Sequence, residues 1–161
     1  MVIVLMGVSG VGKTTVGRRL AADLGWPFYD GDAFHPPQNV DKMERGLPLT
    51  DADRAPWLDR LRSLIERHLA RDESAVLACS ALKAIYRERL RQGNTAVRFV
   101  YLAAGVDLIR DRMTGRSGHY MPVDLLESQF EALEEPTGAL TVAAAAPVDA
   151  IVERILSELR I

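Results

Sequence analysis

The sequence predicts an α/β fold, a parallel sheet of about five strands flanked by helices, within one domain over residues 1–161. Three observations predict it. Short apolar, often β-branched runs alternate about five times with stretches whose apolar residues recur every three or four positions. The first such run passes into a glycine-rich loop and then directly into a helical pattern. A chain of 161 residues is also the size of one ordinary domain.

Val2–Met6 is apolar throughout, as a strand covered on both faces should be. After the glycine loop, Val16, Leu20 and Leu24 mark one face of a helix that Gly25 and Pro27 end. Phe28–Tyr29 begin a second, short strand. A polar, proline-rich segment follows to about Asp53, with a short helix near Asn39–Arg45 closed by Gly46 and Pro48. Trp57, Leu58, Leu61, Leu64, Ile65 and Leu69 form a helical stripe, with Pro56 expected in its first turn. Ala75–Cys79 is the third strand. Leu82, Ile85, Tyr86 and Leu90 give the next helix, with Gly93 as its stop. Val97–Leu102 is the fourth strand and Val106–Met113 a short helix, followed by a loop over Thr114–Pro122. Leu125, Leu126, Phe130 and Leu133 mark a helix ended by Pro136 and Gly138, and Leu140–Ala144 is a weak fifth strand. Val148, Ile151, Val152, Ile155, Leu156 and Leu159 line the last helix.

Composition narrows the function. Twenty basic residues against 22 acidic ones leave a formal net charge of −2, without the basic footprint of a nucleic-acid or anionic-membrane binder. The single cysteine, Cys79, excludes an internal disulfide and suits a reducing compartment, and its position in an apolar strand reads as core. The Val2–Met6 run lacks the charged start and the length of a signal peptide. No apolar stretch approaches the roughly twenty residues of a membrane span. A cytoplasmic protein is expected.

Gly7-Val-Ser-Gly-Val-Gly-Lys-Thr14 matches G-x-x-x-x-G-K-[ST] between a strand and a helix, the context that gives this P-loop pattern its meaning. Glycines let the backbone wrap closely, so that N–H groups point at phosphate oxygens, and the helix adds its positive N-terminal end. Gly7, Val8, Ser9, Gly10, Val11, Gly12, Lys13, Thr14 and Thr15 are therefore expected to hold the triphosphate of ATP. Lys13 meets the β- and γ-phosphates, and the Thr14 hydroxyl is a Mg²⁺ ligand. The dinucleotide pattern G-x-G-x-x-G fails at Thr15.

Triphosphate binding does not name a reaction. Neither the D-x-x-G nor the N-K-x-D pattern of a GTPase occurs. The acids nearest a strand end are Asp30 and Asp32, at the sheet edge that carries the glycine loop. One suits Mg²⁺ through its water shell (Asp30); the other suits a hydroxyl to be aimed at the γ-phosphorus (Asp32). Phosphoryl transfer is mainly positioning and charge neutralisation, so this pair points to a kinase. The competing reading is a pair of acids that only caps a turn.

The segments "VLMGVSGVGKTT", "DGDAFHPPQNVDKMERGLPLTDADRAPWL", "CSALKAIYRERLR", "GRSGHYMP" and "SQFEALEEP", in this order, resemble bacterial gluconokinases of the short P-loop type. The resemblance covers nearly the whole chain. H-P-x-x-N-x-x-K-M, L-T-D-x-D-R-x-P-W-L and S-A-L-K-x-x-Y-R are far more specific than the P-loop. It implies a P-loop kinase fold similar to adenylate and shikimate kinases, with a lid, and transfer of the γ-phosphate of ATP, with Mg²⁺, to the 6-hydroxyl of D-gluconate. A homodimer is the commonly expected assembly. Gluconate is a polyhydroxylated anion. Its candidate contacts are Asp32, His35, Asn39, Lys42 and Arg54 after the second strand, Ser80, Lys83 and Arg87 after the third, and His119.

Lys83 and Arg87 are the candidate carboxylate holders if a helix begins near Ser80; otherwise they are solvated surface cations. His35 reads equally as a substrate contact or a satisfied loop histidine. Trp57 reads as core rather than as a platform for a sugar. Residues of about 107–122 form the candidate lid, bringing Arg112 and Arg116 to the phosphates, with Arg116, Lys13 and Asp32 as the catalytic set and Arg110 less central. The alternatives are another small-molecule kinase, for shikimate or a nucleotide, and a nucleotide-binding regulatory module.

Overall fold

A computed structural model of the chain describes residues 1–114 and 123–161. Five parallel strands, β1 (Val2–Met6), β2 (Phe28–Asp30), β3 (Ala75–Ala78), β4 (Val97–Ala103) and β5 (Leu140–Ala143), form one sheet in the order β2-β3-β1-β4-β5. The helices are α1 (Lys13–Leu24), α2 (Pro37–Glu44), α3 (Asp51–Ala70), α4 (Ala84–Arg91), α5 (Val106–Thr114), α6 (Val123–Ala132) and α7 (Val148–Leu159). Among the described residues, no helix is long and apolar enough to cross a membrane.

β1 is central and divides the core. Ile3 and Leu5 pack with Val16 and Leu20 of α1 and with Ile151 and Ile155 of α7. Val2, Val4 and Met6 face the other way, onto Trp57, Leu61 and Ile65 of α3 and Tyr86 and Leu90 of α4. A strand with both faces covered has no polar face to spare, which is why Val2–Met6 lacks alternation. α1 and α4 thus leave the neighbouring strands β1 and β3 toward opposite faces of the sheet. The loops that follow these strands part, and a crevice opens between them at the carboxyl edge. One backbone bond spans the crevice base, from Gly7 N–H to the Ser80 carbonyl at 3.2 Å.

Two expectations are corrected. Pro56 sits in the interior of α3 rather than in its first turn, because a capping box starts the helix at Asp51. The Thr50 hydroxyl accepts from Asp53 N–H at 3.1 Å, and Asp53 accepts from Thr50 N–H at 2.9 Å. The missing N–H of Pro56 deprives only the carbonyl of Ala52, an exposed residue whose oxygen water can serve. Ile85 is not core either. α4 begins at Ala84, so Tyr86 and Leu90 turn inward while Ile85 stays 61% exposed. Cys79 is buried just past β3, and burial pushes its thiol up to about 12, as a core residue requires.

Gly31, between the two acids, makes a requirement of its own. A side-chain carbon there would lie 2.5 Å from the Ala78 carbonyl oxygen and 3.4 Å from Cys79 Cβ. The Gly31 carbonyl in turn accepts from Trp57 Nε1 at 2.8 Å. The nearest obstacle is strand backbone and the Trp57 indole holds Gly31 from its carbonyl, so the close approach cannot be relieved cheaply. Gly31→Ala is expected to destabilise the protein by about 1–3 kcal/mol, as overpacking typically does. Denaturant unfolding of the variant and the parent measures this; equal midpoints would show that the strand ends can move apart.

Candidate active site

The loop between β1 and α1 wraps as the motif requires. Gly7 has φ 145°, and a Cβ there would meet the Leu102 carbonyl oxygen at 2.8 Å, so both torsion and space call for glycine. Lys13 folds back over the loop. Its ammonium donates to the carbonyls of Gly7 and Val8, each at 2.9 Å. Burial lowers its pKa, while the nearby charges of Asp32 and Asp30 pull it back up.

Three clefts meet along this loop. The first, about 260 Å³, is bordered by Gly10, Gly12, Lys13, Thr14, Asp30 and Asp32. The second, about 240 Å³, is walled by Lys13, Asp32, His35, Arg54, Ser80 and Gln129, with Ser9 at the seam of the two. The third, about 350 Å³, shares Gly12 and Thr15 with the first and runs between Arg112 and the Ala144–Ala146 stretch after β5. Arg112 fixes that geometry by donating to the Val11 carbonyl at 3.0 Å and the Ala144 carbonyl at 2.6 Å. Thr14 and Asp30 both border the first cleft and offer hard oxygen donors. That suits Mg²⁺, which keeps several waters and completes its shell from phosphate. Among the described residues, no group of three or more His, Cys, Asp or Glu gathers as a metal site.

The two acids differ in environment. Asp30 ends β2 and accepts from Asp32 N–H at 3.0 Å, so it caps the 3₁₀ turn Gly31–Phe34 while bordering the first cleft. Capping of the turn and a place at the cleft thus coexist in this pair. Asp32 keeps much of its surface in solvent, yet protein atoms crowd its carboxyl. That desolvation raises its pKa, Lys13 opposes, and Asp30 adds to the rise.

The residues expected to contact gluconate divide. His35 stacks on Trp57, ring centroids 4.2 Å apart and 14° from parallel, so Trp57 is core on one side and cleft wall on the other. Arg54 borders the cleft and donates to the Leu49 carbonyl and, at 3.3 Å, to the Tyr86 hydroxyl. Other cations are engaged elsewhere. Lys42 pairs with Asp53 at 2.7 Å and helps hold that carboxyl down to about 2. Lys83 pairs with Asp51 at 3.0 Å, where Tyr86 also donates. Arg87 donates to the carbonyls of Ala81, Leu82 and Glu134 at 2.8, 3.0 and 2.9 Å. The expected helix start near Ser80 is not found. α4 starts at Ala84, Lys83 is its cap residue, and Arg87 turns back to tie down the loop. Arg116 and His119 lie outside the described residues. Arg110 lies 3.7 Å from Asp107, on the solvent side of α5.

Sequence reasoning missed Gln129 of α6. Its Oε1 accepts from Ser9 N–H at 2.7 Å and its Nε2 donates to Ser9 Oγ at 2.9 Å. A polar residue on an amphipathic helix carries no signal of a partner 120 positions away. The third cleft was missed as well, although the alanine run after β5 was its trace.

An AAA domain family model matches residues 2–137. The chain is 51% identical over 134 residues to a gluconokinase of Gluconobacter oxydans, a match covering 83% of this chain and 75% of that protein. It is similar to the structure of a gluconokinase from Sinorhizobium meliloti, at 46% identity and TM-score 0.87, covering 98% of this chain and 90% of that one. It is also similar to a sugar kinase from Janibacter, at 40% identity and TM-score 0.93, covering 99% and 94%.

His35 gives the site a pH signature. Burial, with Arg54 adding to it, lowers its pKa from 6.5 to about 4. As pH falls below 6.5, the unfolded chain takes up a proton that native His35 refuses until about 4. The stability conferred by the neutral ring is therefore complete above pH 6.5 and lost between there and about 4. Melting temperatures across that window should fall more steeply for the parent than for His35→Gln; parallel curves would mean that His35 titrates normally.

Proposed function

The chain belongs to the gluconokinase family, and from that premise we propose how its clefts carry out the ATP-dependent phosphorylation of gluconate to 6-phosphogluconate. The single observation that supports the assignment of roles is that Lys13 and Asp32 border both the first cleft, along the glycine loop, and the second beside it. A donor phosphate in the first and an acceptor in the second meet at these two side chains.

ATP lies with its triphosphate along Gly7–Thr15 and its base in the cleft between Arg112 and Ala144–Ala146, which is apolar on one wall and carries Arg112 beside Asp111 on the other. Lys13 exchanges the Gly7 and Val8 carbonyls for phosphate oxygens, a gain because charged acceptors make stronger hydrogen bonds. Asp32 accepts a hydrogen bond from the 6-hydroxyl and aims its oxygen at the γ-phosphorus. Its raised pKa suits the proton that leaves as the 6-oxygen bonds to the γ-phosphorus and the bond from that phosphorus to the departing ADP breaks. Thr14 and, through water, Asp30 hold Mg²⁺, which neutralises charge on the phosphates when bound. Arg54, His35 and Ser80 present fixed polar groups to the acceptor, with Arg54 the cation for its carboxylate. Lys42, Lys83 and Arg87 act behind them, holding the wall in shape. A lid over about 107–122, with Arg116 and His119, excludes water. The resemblance supports this, as it supports a homodimer; Cys79 as a free thiol suits the cytoplasm.

ATP turnover measured with gluconate, neutral sugars, shikimate and nucleoside monophosphates tests the acceptor. Gluconate should be preferred, and a strong preference for any other would overturn the reading. Lys13→Ala should lower kcat/KM about 10²- to 10³-fold with the fold intact by circular dichroism. Asp32→Asn should lower kcat about 10²- to 10⁴-fold. The KM for ATP should hardly change; a rise in that KM alone would move Asp32 to the nucleotide.

A further inference from the structure

The H-P-x-x-N spacing places Asn39 in the first turn of α2, one helical turn beyond His35, and the side chain is 1% exposed. Its Nδ2 lies 2.8 Å from the Asp53 carbonyl oxygen and 3.2 Å from His35 Nδ1. The carbonyl oxygen decides which way the amide faces. It can only accept, so the atom against it must be the –NH₂ group. That group has two hydrogens, and the second is directed to His35 Nδ1. Nδ1 is then an acceptor, and in a neutral imidazole the proton must sit on Nε2. The other end of the Asn39 amide, Oδ1, is buried with no partner among the described residues. Both hydrogens are thus used at the expense of an unmet acceptor, as expected if fixing the ring is the purpose of the residue.

The surroundings agree. The ring is clamped flat on Trp57, whose own Nε1 is tied to the Gly31 carbonyl. The charged group acting on it is Arg54, from α3, which opposes a second proton. Nε2 has no partner among the described residues, and the ring borders the cleft that also contains Asp32. We propose that Asn39 is a positioning residue that fixes His35 as the neutral Nε2–H tautomer, so that His35 is a dedicated hydrogen-bond donor to an oxygen of the acceptor and not a base. The donor role rests on the kinase reading above; the tautomer does not. It completes a division of labour in the cleft, where Asp32 accepts from the reacting hydroxyl and His35 donates to a different oxygen, selecting acceptors that present a lone pair at that point.

Nitrogen NMR of the full chain labelled at its three histidines, with His35 assigned by loss of its signals in His35→Gln, reads the tautomer without substrate. The expected result is a proton on Nε2 and none on Nδ1, unchanged between about pH 5 and 8. A proton on Nδ1, an even mixture of tautomers or a titration within that range overturns the proposal. Asn39→Asp, which replaces the donor by an acceptor, should move the proton to Nδ1 and raise the KM for gluconate without raising that for ATP. If that variant does not fold, a second pair decides. The Gln amide nitrogen reaches the place of Nε2 and the Asn amide nitrogen that of Nδ1. His35→Gln should therefore retain about 10- to 100-fold more kcat/KM for gluconate than His35→Asn, the range of one hydrogen bond. Equal losses in the two variants would refute the donor role. A parent enzyme that phosphorylates gluconate with its His35 proton on Nδ1 would sink the proposal and spare the kinase reading.

Discussion

The Lys13 ammonium, partly buried and held by two carbonyl oxygens of its own loop, is the constraint around which the sheet edge is organised. Its hydrogen bonds go to neutral acceptors, although Asp30 and Asp32 are near enough to influence its charge. Had it paired directly with either acid, a phosphate would have to displace a charged partner. Carbonyl oxygens stabilise the cation more weakly and release it more readily. The loop thus stores a charge that is ordered but available. This state needs the tight wrap at Gly7, which brings the carbonyls of residues 7 and 8 to one point, and it needs the acids to be held back.

The acids are held back by backbone packing. Gly31 lets the end of β2 press against Ala78 and Cys79, Trp57 secures the Gly31 carbonyl, and Asp30 is occupied with the N–H of Asp32. The cations farther out are balanced in their turn, Lys42 by Asp53 and Lys83 by Asp51. Partly exposed pairs of this kind contribute little stability each. Their effect is geometric: they join α2, α3 and the start of α4 into one wall and leave Arg54 facing the cleft.

Strand and helix positions were legible because burial imposes a period, and each core face of β1 demands its own set of apolar residues. The course of the glycine loop was legible because its torsions and close approaches admit few residue types. The partners of charged side chains were not. Lys83 and Arg87 lie four positions apart, which suggests a shared helical face, but the helix begins one residue after Lys83 and the guanidinium of Arg87 satisfies three loop carbonyls. Sequence spacing gives reach, whereas the choice among acceptors within reach depends on loops whose course no period records. The cleft beside Arg112 was hidden for a related reason: it is a space left by small residues, and periodicity reports side chains that are present. Pro56 was misplaced because its own preference for a first turn was outweighed by the capping box one turn earlier.

The two halves of the proposed site, for phosphate and for acceptor, are built on different supports, which limits how each can vary. The phosphate half rests on β1, β4 and α1: β1 is buried throughout, β4 largely so, and α1 turns Val16, Leu20 and Ala21 into the core. The acceptor half rests on the stretch between β2 and β3, whose helices meet the sheet through α3 and are otherwise joined by polar contacts. A change of acceptor can be accommodated in that stretch without disturbing the strands. What cannot vary is the distance between the halves, because transfer depends on holding oxygen and phosphorus in line within a fraction of an ångström. Gln129 addresses this requirement. By binding both Ser9 N–H and Ser9 Oγ from the helix that forms another wall of the acceptor cleft, it makes the seam between the halves a two-point contact. A single hydrogen bond would leave a hinge there, whereas two from one planar amide resist rotation as well as separation.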